Sequence, residues 1–236
     1  MTLGGILIIR NGELLKYPYI PAIKSICRLC NDVVVNVGDS EDDTLSKVKN
    51  LNIPNLRTIE RKWNWLPTGD GRELAIQANA CVEYLNNKDW IIHLQADELV
   101  HENDHEQLRY ICGTLPLKYS QVELFRTYFY KTLNTRLAKE ELYLGRVFRP
   151  GTNWVGGDGM HLDRRFGDVY RTDIKIWHYP RIGKEEDVTK KWRNLGLIFE
   201  GPEHVAKLPQ FEYSSEGLID HDGGSHPAEI EEFYEG

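Results

Sequence analysis

The first hundred residues alternate short β-rich runs with stretches of helical spacing, and no other feature constrains the fold as much. Gly5 to Ile9 reads as a buried strand closed by Arg10-Asn11-Gly12, and Tyr17-Pro18 opens a helical stretch. Asp32 to Val37 (DVVVNV) predicts a second strand, Thr44 to Lys49 a short helix, and Leu56 to Ile59 a third strand. Glu73 to Leu85 has helical spacing and good helix formers. Asp89 to Leu94 (DWIIHL) predicts a fourth strand running into Gln95-Ala96-Asp97-Glu98. Strand, helix, strand, helix, with connections long enough for crossovers, points to an α/β fold whose central, mainly parallel sheet is flanked by helices. In such sheets ligands bind just beyond the carboxyl ends of the strands. Those ends carry Arg10-Asn11, the loop Gly38 to Asp43, and Asp97-Glu98, the last two expected at the rim.

The second half reads as a mixed back to this front. Gln121 to Tyr130 and Tyr143 to Phe148 predict strands with polar residues between aromatics, Trp154 to Asp163 a Gly-rich loop, and Ile174 to Tyr179 a strand stopped by Pro180. Lys184 to Phe199 predicts a charged helix, and the last forty residues read as irregular. No linker, repeat or low-complexity stretch divides the chain, so its 236 residues are expected to form a single domain.

Charge narrows the partners. With 29 Lys+Arg against 36 Asp+Glu the net charge is −7, and a pI near 5.7 weighs against a polyanion as the main partner. The N-terminal apolar run Ile6-Leu7-Ile8-Ile9 ends at Arg10, far short of the roughly 20 residues a bilayer requires. No membrane span is expected, and the chain reads as soluble and cytoplasmic. Cys27 and Cys30 form a CxxC, half of a zinc site or a redox pair on spacing alone. Together with Ile23 and Ile26 they also trace the i, i+3, i+4, i+7 stripe of a buried helix face, which is the preferred reading.

Three groups of residues point to chemistry. A carboxylate fixed at a strand end, such as Asp97, suits a hard divalent cation that bridges diphosphate oxygens. The loop Gly38-Asp39-Ser40-Glu41-Asp42-Asp43-Thr44 gathers four carboxylates, which repel one another unless donors or a cation sit there. It can hold a ribose, a uracil edge or a cation, or it is a turn in which Asp43 or Thr44 caps a helix. His178, between Trp177 and Tyr179, is a packed strand histidine or a neutral imidazole ligand. Arg181, Lys184, Lys190, Lys191 and Arg193 downstream form either a solvated helix face or a counter-charge for a leaving diphosphate. His101 and His105 tempt towards zinc, but Asn103 and Glu106 are spaced for a capping box, which is preferred. His221, Asp222 and His226 are expected in a loose tail. Trp63, Trp65, Trp154, Tyr128 and Tyr130 are core residues or a sugar-stacking wall.

Taken together, IIRNG with the following YPYI, VVVNVGDSEDDT, WIIHLQADE and IWHYPRIG resemble the family 2 glycosyltransferases of bacterial or phage type, over most of residues 6–200. The resemblance implies a GT-A fold, Rossmann-like in binding nucleotide sugars. Residues 1–100 would then be the nucleotide-binding half, 101–200 the acceptor half and 201–236 a C-terminal extension. Arg10 and Asn11 fall where the family holds base and ribose, and Asp39 matches the acid on the nucleoside. Gly38, Asp42, Arg72, Gln95 and Lys190 complete the implied donor contacts. Gln95-Ala96-Asp97 takes the place of an Asp-x-Asp motif, with Gln95 replacing the first acid, so Asp97 is the principal carboxylate on Mn²⁺ or Mg²⁺. His178 matches a histidine that reaches the metal. Asp158 is the candidate base of an inverting transfer, with Asp163 in reserve, although the family's usual Glu-Asp is lacking. The implied donor is a nucleoside-diphosphate sugar, a UDP-sugar first, and the implied acceptor a carbohydrate or other hydroxyl. A modified base in phage DNA is the less favoured acceptor.

Other activities fit less well. A sugar-phosphate nucleotidyltransferase would carry a basic, Gly-rich first loop, where this chain has Arg10-Asn11-Gly12-Glu13. A non-catalytic nucleotide-sugar or carbohydrate-binding module is favoured by Gln95, and a zinc hydrolase would need His101 and His105.

Overall fold

In a computed structural model describing residues 1–64, 71–156, 161–163, 167–222 and 224–235, the N-terminal apolar run becomes β1 (Leu3–Ile9), with parallel partners on both sides. Leu3, Leu7 and Ile9 face one core cluster, and Ile6 faces another, the period-2 division expected of a strand covered on both faces. The chain continues through α1 (Tyr19–Leu29), β2 (Asp32–Gly38), α2 (Thr44–Lys49), β3 (Leu56–Arg61) and α3 (Arg72–Val82) to β4 (Trp90–His93). These strands lie in the order β3-β2-β1-β4, all parallel. Because β2 and β4 flank β1 on opposite sides, the strand order reverses at β1, and a ligand crevice is expected beyond its carboxyl end. Cys27 and Cys30 lie on the buried face of α1 as free thiols, and burial pushes the Cys27 thiol up to about 12.

Four residues then lead to β5 (Glu98–Val100), followed by α4 (His105–Thr114), β6 (Tyr119–Leu137), β7 (Leu142–Phe148), the short hairpin β8 (Trp154–Gly156) and β9 (His161–Leu162), and β10 (Asp168–Ile182). The sheet runs on from β4 as β7-β6-β10-β5. Strands spaced about 4.8 Å apart would put β5 roughly 19 Å from β4 in a flat sheet. The link from His93 to Glu98 reaches at most about 17 Å fully extended, and its turn, with Glu98 N donating to Gln95 O at 3.1 Å, shortens it further. The sheet therefore curls, bringing β5 back beside the end of β4.

The remaining elements are α5 (Glu185–Phe199), α6 (Pro202–Val205), β11 (Leu218–Asp220) and α7 (Ala228–Glu235). Three sequence expectations change here. β10 does not stop at Pro180 but runs to Ile182, because its pairing with β6 skips between His178 and Arg181 and leaves the proline outside the ladder. The expected loop from Trp154 to Asp163 contains the β8–β9 hairpin. The C-terminal forty residues are not a loose tail: β11 pairs with β6, and His226 is buried. Among the described residues, no helix is long and apolar enough to cross a membrane.

His226 packs against Phe129 and Trp177. Its Nε2–H donates to the Leu133 carbonyl at 3.0 Å, leaving Nδ1 to accept the Tyr179 hydroxyl at 2.9 Å. Burial first, then the neighbouring His221, holds this imidazole down to about 4. The unfolded chain, with an ordinary histidine near 6.5, thus binds a proton that the folded chain refuses. Stability contributed here is present above pH 6.5 and falls as the pH drops towards 4. At pH 5 the loss is expected to be roughly 1–2 kcal/mol. Melting curves at pH 7 and pH 5 should show a smaller difference for His226→Phe than for the unsubstituted chain.

Candidate functional site

The carboxyl ends of β1 and β4 face β6, β10 and α5 across a cavity of about 400 Å³. Arg10, Gln95, Asp97 and His178 line it. The turn between β4 and β5 presents Asp97, and the register that sets His178 opposite Glu98 brings the histidine alongside. His178 Nε2 lies 3.4 Å from Asp97 Oδ1, with both side chains less than a tenth exposed. Burial alone would raise the Asp97 carboxyl, but the charges of His178 and Lys191 outweigh it and hold the group below its usual range. His178 also meets the Tyr128 ring edge-on, centroids 5.0 Å apart, while its Nδ1 has no hydrogen-bonding partner.

Beneath this turn, Glu98 is fully buried rather than at the rim. Arg146 on β7, equally buried, clasps it in a two-pronged contact through one guanidinium edge, with Nε 3.0 Å from Oε2 and Nη2 bonded to Oε1. Glu98 Oε2 also accepts the Gln95 backbone N–H at 3.0 Å. Glu98 is thus an anchor for the turn, with both oxygens turned away from any ligand.

The acidic loop is held largely by hydrogen-bond donors. Arg10 bonds Asp39 Oδ1 at 3.3 Å and Glu41 Oε1 at 3.1 Å. Asn11, with φ of 53°, accepts from Glu41 N at 2.8 Å and donates its own N–H to Ser40 Oγ at 3.0 Å. Asp42 accepts from Leu14 N at 2.7 Å and Thr44 N at 3.0 Å. Although burial pushes the Asp42 carboxyl up, these bonds and the Thr44 hydroxyl keep it low. A Cβ on Gly38 would come within 2.8 Å of the Trp63 indole and 3.1 Å of Arg10 Cβ. Glycine there lets both side chains close over the end of β2.

The cavity does not gather all the expected residues. Asn11, Gly38, Asp39 and Asp42 do not line it, and neither does Arg72, which opens α3 at an exposed position. Lys190 points outward, its Nζ 3.0 Å from Asp187. Its neighbour Lys191 lines the cavity instead, 6% exposed, with Nζ 3.5 Å from Pro180 O and 5.0 Å from the centre of the Tyr17 ring. Burial pulls the Lys191 ammonium down against the opposing charges of Asp97 and Asp187. Asp163 sits outside the cavity, its N–H donating to Asn153 O at 2.9 Å. Asp158 and Trp65 lie outside the described residues. Of the aromatics, Trp63 and Tyr128 line the cavity. Trp154 packs on Phe148, and Tyr130 on Phe211 and Tyr213.

The structure also brings in residues that no local pattern marked: His93, Arg126, Glu140 and the α5 residues Val188, Trp192 and Leu195. Arg126 donates to the Glu140 carbonyl at 2.8 Å. Their helical or strand spacing carried only a packing signal, since the curl alone turns them inward.

The donor set suits a particular kind of cation. Among the described residues no group of three His, Cys, Asp or Glu converges on one point. Asp97 and His178 would offer two ligands to a cation such as Mg²⁺ or Mn²⁺, which commonly completes its shell with water and phosphate oxygens. Zinc at His101 and His105 is not supported. His101 caps the turn before α4 by accepting from Asn103 N at 3.2 Å, a role expected of Asn103 itself, and His105 Nε2 is 3.1 Å from Val100 O.

In fold the chain resembles the mannosyltransferase PcManGT from Pyrobaculum calidifontis, described in complex with GDP-Man and Mn²⁺, with a TM-score of 0.51 and 12% identity over 87% of this chain and 68% of that one. S. aureus TarS 1–349 in complex with UDP aligns with a TM-score of 0.49 and 15% identity over 84% of this chain. The chain spans 65% of that TarS fragment and 39% of the longer S. aureus TarS. No protein-family model and no curated protein matches the sequence.

Removing one partner of the Glu98–Arg146 pair strands a buried charge. Arg146→Met is expected to cost about 3–5 kcal/mol, while Glu98→Leu combined with Arg146→Met restores most of that. Urea unfolding of the three proteins measures both effects. The double variant should stay folded while amide exchange at Gln95 quickens, because that N–H loses its acceptor.

Proposed function

We propose that this chain is a glycosyltransferase moving a sugar from a nucleoside diphosphate to an acceptor hydroxyl, of the family 2 kind that its motifs resemble. The observation that carries this reading is the buried Asp97–His178 pair in a cavity at the strand-order reversal. The mannosyltransferase sharing the fold was described with a nucleotide sugar and Mn²⁺. Asp97 and His178 would hold Mn²⁺ or Mg²⁺ together with the donor's diphosphate. When bound, such a cation offsets the negative charge that grows on the departing diphosphate.

The chain's own residues supply the rest. Arg10 lines the cavity at the end of β1, where it would face the nucleoside, held by Asp39 and Glu41. Of the basic residues offered as counter-charge, Lys191 rather than Lys190 is the one proposed for that role, because it lines the cavity and is buried. The apolar wall of α5 and Trp63 would exclude water from the anomeric carbon, limiting loss of the donor to hydrolysis. Asp158 remains the proposed base, drawing the acceptor proton in a single displacement with inversion, with Asp163 in reserve. A UDP-sugar is the first donor to try, a GDP-sugar the second, and the proposed acceptor is a carbohydrate.

Gln95, in place of an acid, favours a second reading as a nucleotide-sugar-binding module without turnover. Release of nucleoside diphosphate from a bound donor separates the two.

Calorimetric titration of UDP and GDP with Mn²⁺, and again with EDTA, tests the donor site. One nucleotide should bind at micromolar strength with metal, and Asp97→Ala should weaken it about 10–100-fold, the usual effect of disturbing a metal's surroundings. Absence of binding by every nucleotide under both conditions would reject the reading. Asp158→Asn should retain nucleotide binding and lose transfer by about 100-fold or more. Full transfer by that variant would remove Asp158 as the base.

A further inference from the structure

His93, the last residue of β4, lines the cavity on the chain segment that leads to Asp97. The side chain is 2% exposed, and neither ring nitrogen meets a hydrogen-bonding partner. Trp154 approaches it edge-on, ring centroids 4.7 Å apart, and offers packing without an acceptor. Burial and the nearby Arg146 charge push the imidazole well below its usual value, so the ring is neutral. Buried polar groups are nearly always paired, and one left unpaired calls for a specific reason. An apolar side chain of the same shape would serve the core better.

Its chemistry narrows what can pair it. A neutral imidazole presents one N–H donor and one lone-pair acceptor. Phosphate oxygens only accept and would leave the lone pair unmet. Apolar groups meet neither nitrogen. A hydroxyl, or two adjacent hydroxyls, both donates and accepts, as does any water that it would displace. The ring is 2% exposed and belongs to the cavity wall, so a partner for it comes from within the cavity, where a ligand anchored at Asp97 and His178 would carry its own groups. We propose that His93 reads a hydroxyl of the sugar that the nucleotide carries into the cavity, and so helps set which sugar the site accepts. This rests on the donor site at Asp97 and His178, and it adds a contact to the sugar that those two residues do not make.

The test is a binary titration with Mn²⁺ and without acceptor. UDP, GDP, UDP-glucose and GDP-mannose are titrated into the unsubstituted protein and into His93→Phe, His93→Leu and His93→Gln. The apolar variants are expected to weaken the nucleotide sugar about three- to tenfold, as loss of one or two hydrogen bonds predicts, while the matching nucleoside diphosphate stays within about twofold. His93→Gln, which keeps a donor and an acceptor, should recover part of the loss. Both apolar variants should melt at or above the temperature of the unsubstituted protein, since a buried unpaired ring has been removed. Nucleotide sugar and nucleoside diphosphate weakened equally, or neither weakened, would overturn the assignment while leaving the donor site standing. If no nucleotide binds the unsubstituted protein, the donor site itself is rejected and this contact with it.

Discussion

The buried pair of Glu98 and Arg146 holds the site together. It joins β5, at one end of the strand order, to β7, three places away along the curl. The four-residue link between β4 and β5 forces the sheet to bend, and the ion pair fixes where the bend closes. Its carboxylate also accepts the Gln95 N–H, so the turn presenting Asp97 is held from below. A buried ion pair is weak as a source of net stability, because desolvating two charges offsets most of their attraction. Its value here is geometric: β5 has a single register on β10, and that register sets His178 against Asp97.

The rim of the cavity shows a second way of handling charge. The loop after β2 is acidic enough to suggest a cation site, yet Asp39, Glu41 and Asp42 each meet donors from Arg10, Thr44 or the backbone. Those bonds tie the loop after β1 to the loop after β2 and leave Arg10 aimed between them. Inside the cavity the balance is different. Asp97 faces His178, and Lys191 carries a buried ammonium that reaches Pro180 O through a long hydrogen bond. Charges bound to fixed donors form the frame, while Asp97, His178 and Lys191, less completely paired, face the cavity.

That division also explains why the site costs stability. His93 has two unpaired ring nitrogens in the core, and Lys191 holds a cation away from water. Each is worse for the folded state than an apolar side chain of similar shape. Such positions persist where a ligand completes what the protein leaves unmade. The C-terminal segment works the other way. His226 is satisfied on both nitrogens and pins β11 and α7 against β6 and Tyr179, next to His178 in the chain.

Much of the front half could be read from local pattern. Buried runs of period two, helices with one apolar stripe and polar strand ends identify β1 to β4, α1 to α3 and the edge where Arg10, Gln95 and Asp97 gather, because each signal lies within about a dozen residues. Asp97 stood out for the same reason: it follows a buried strand directly. Other features depended on pairings between distant segments. Glu98 and Asp97 are adjacent acids, and nothing local says that one meets Arg146 in the core while the other faces the cavity. Lys190 and Lys191 are adjacent lysines, and only the packing of α5 over the strand ends turns the second inward and the first to water. His93 reads as one more strand residue until the curl of the sheet opens a cavity beside it. Periodicity reports which face of an element is buried, but what that face meets is decided by contacts between residues far apart in the chain, and these arise only when the sheet closes.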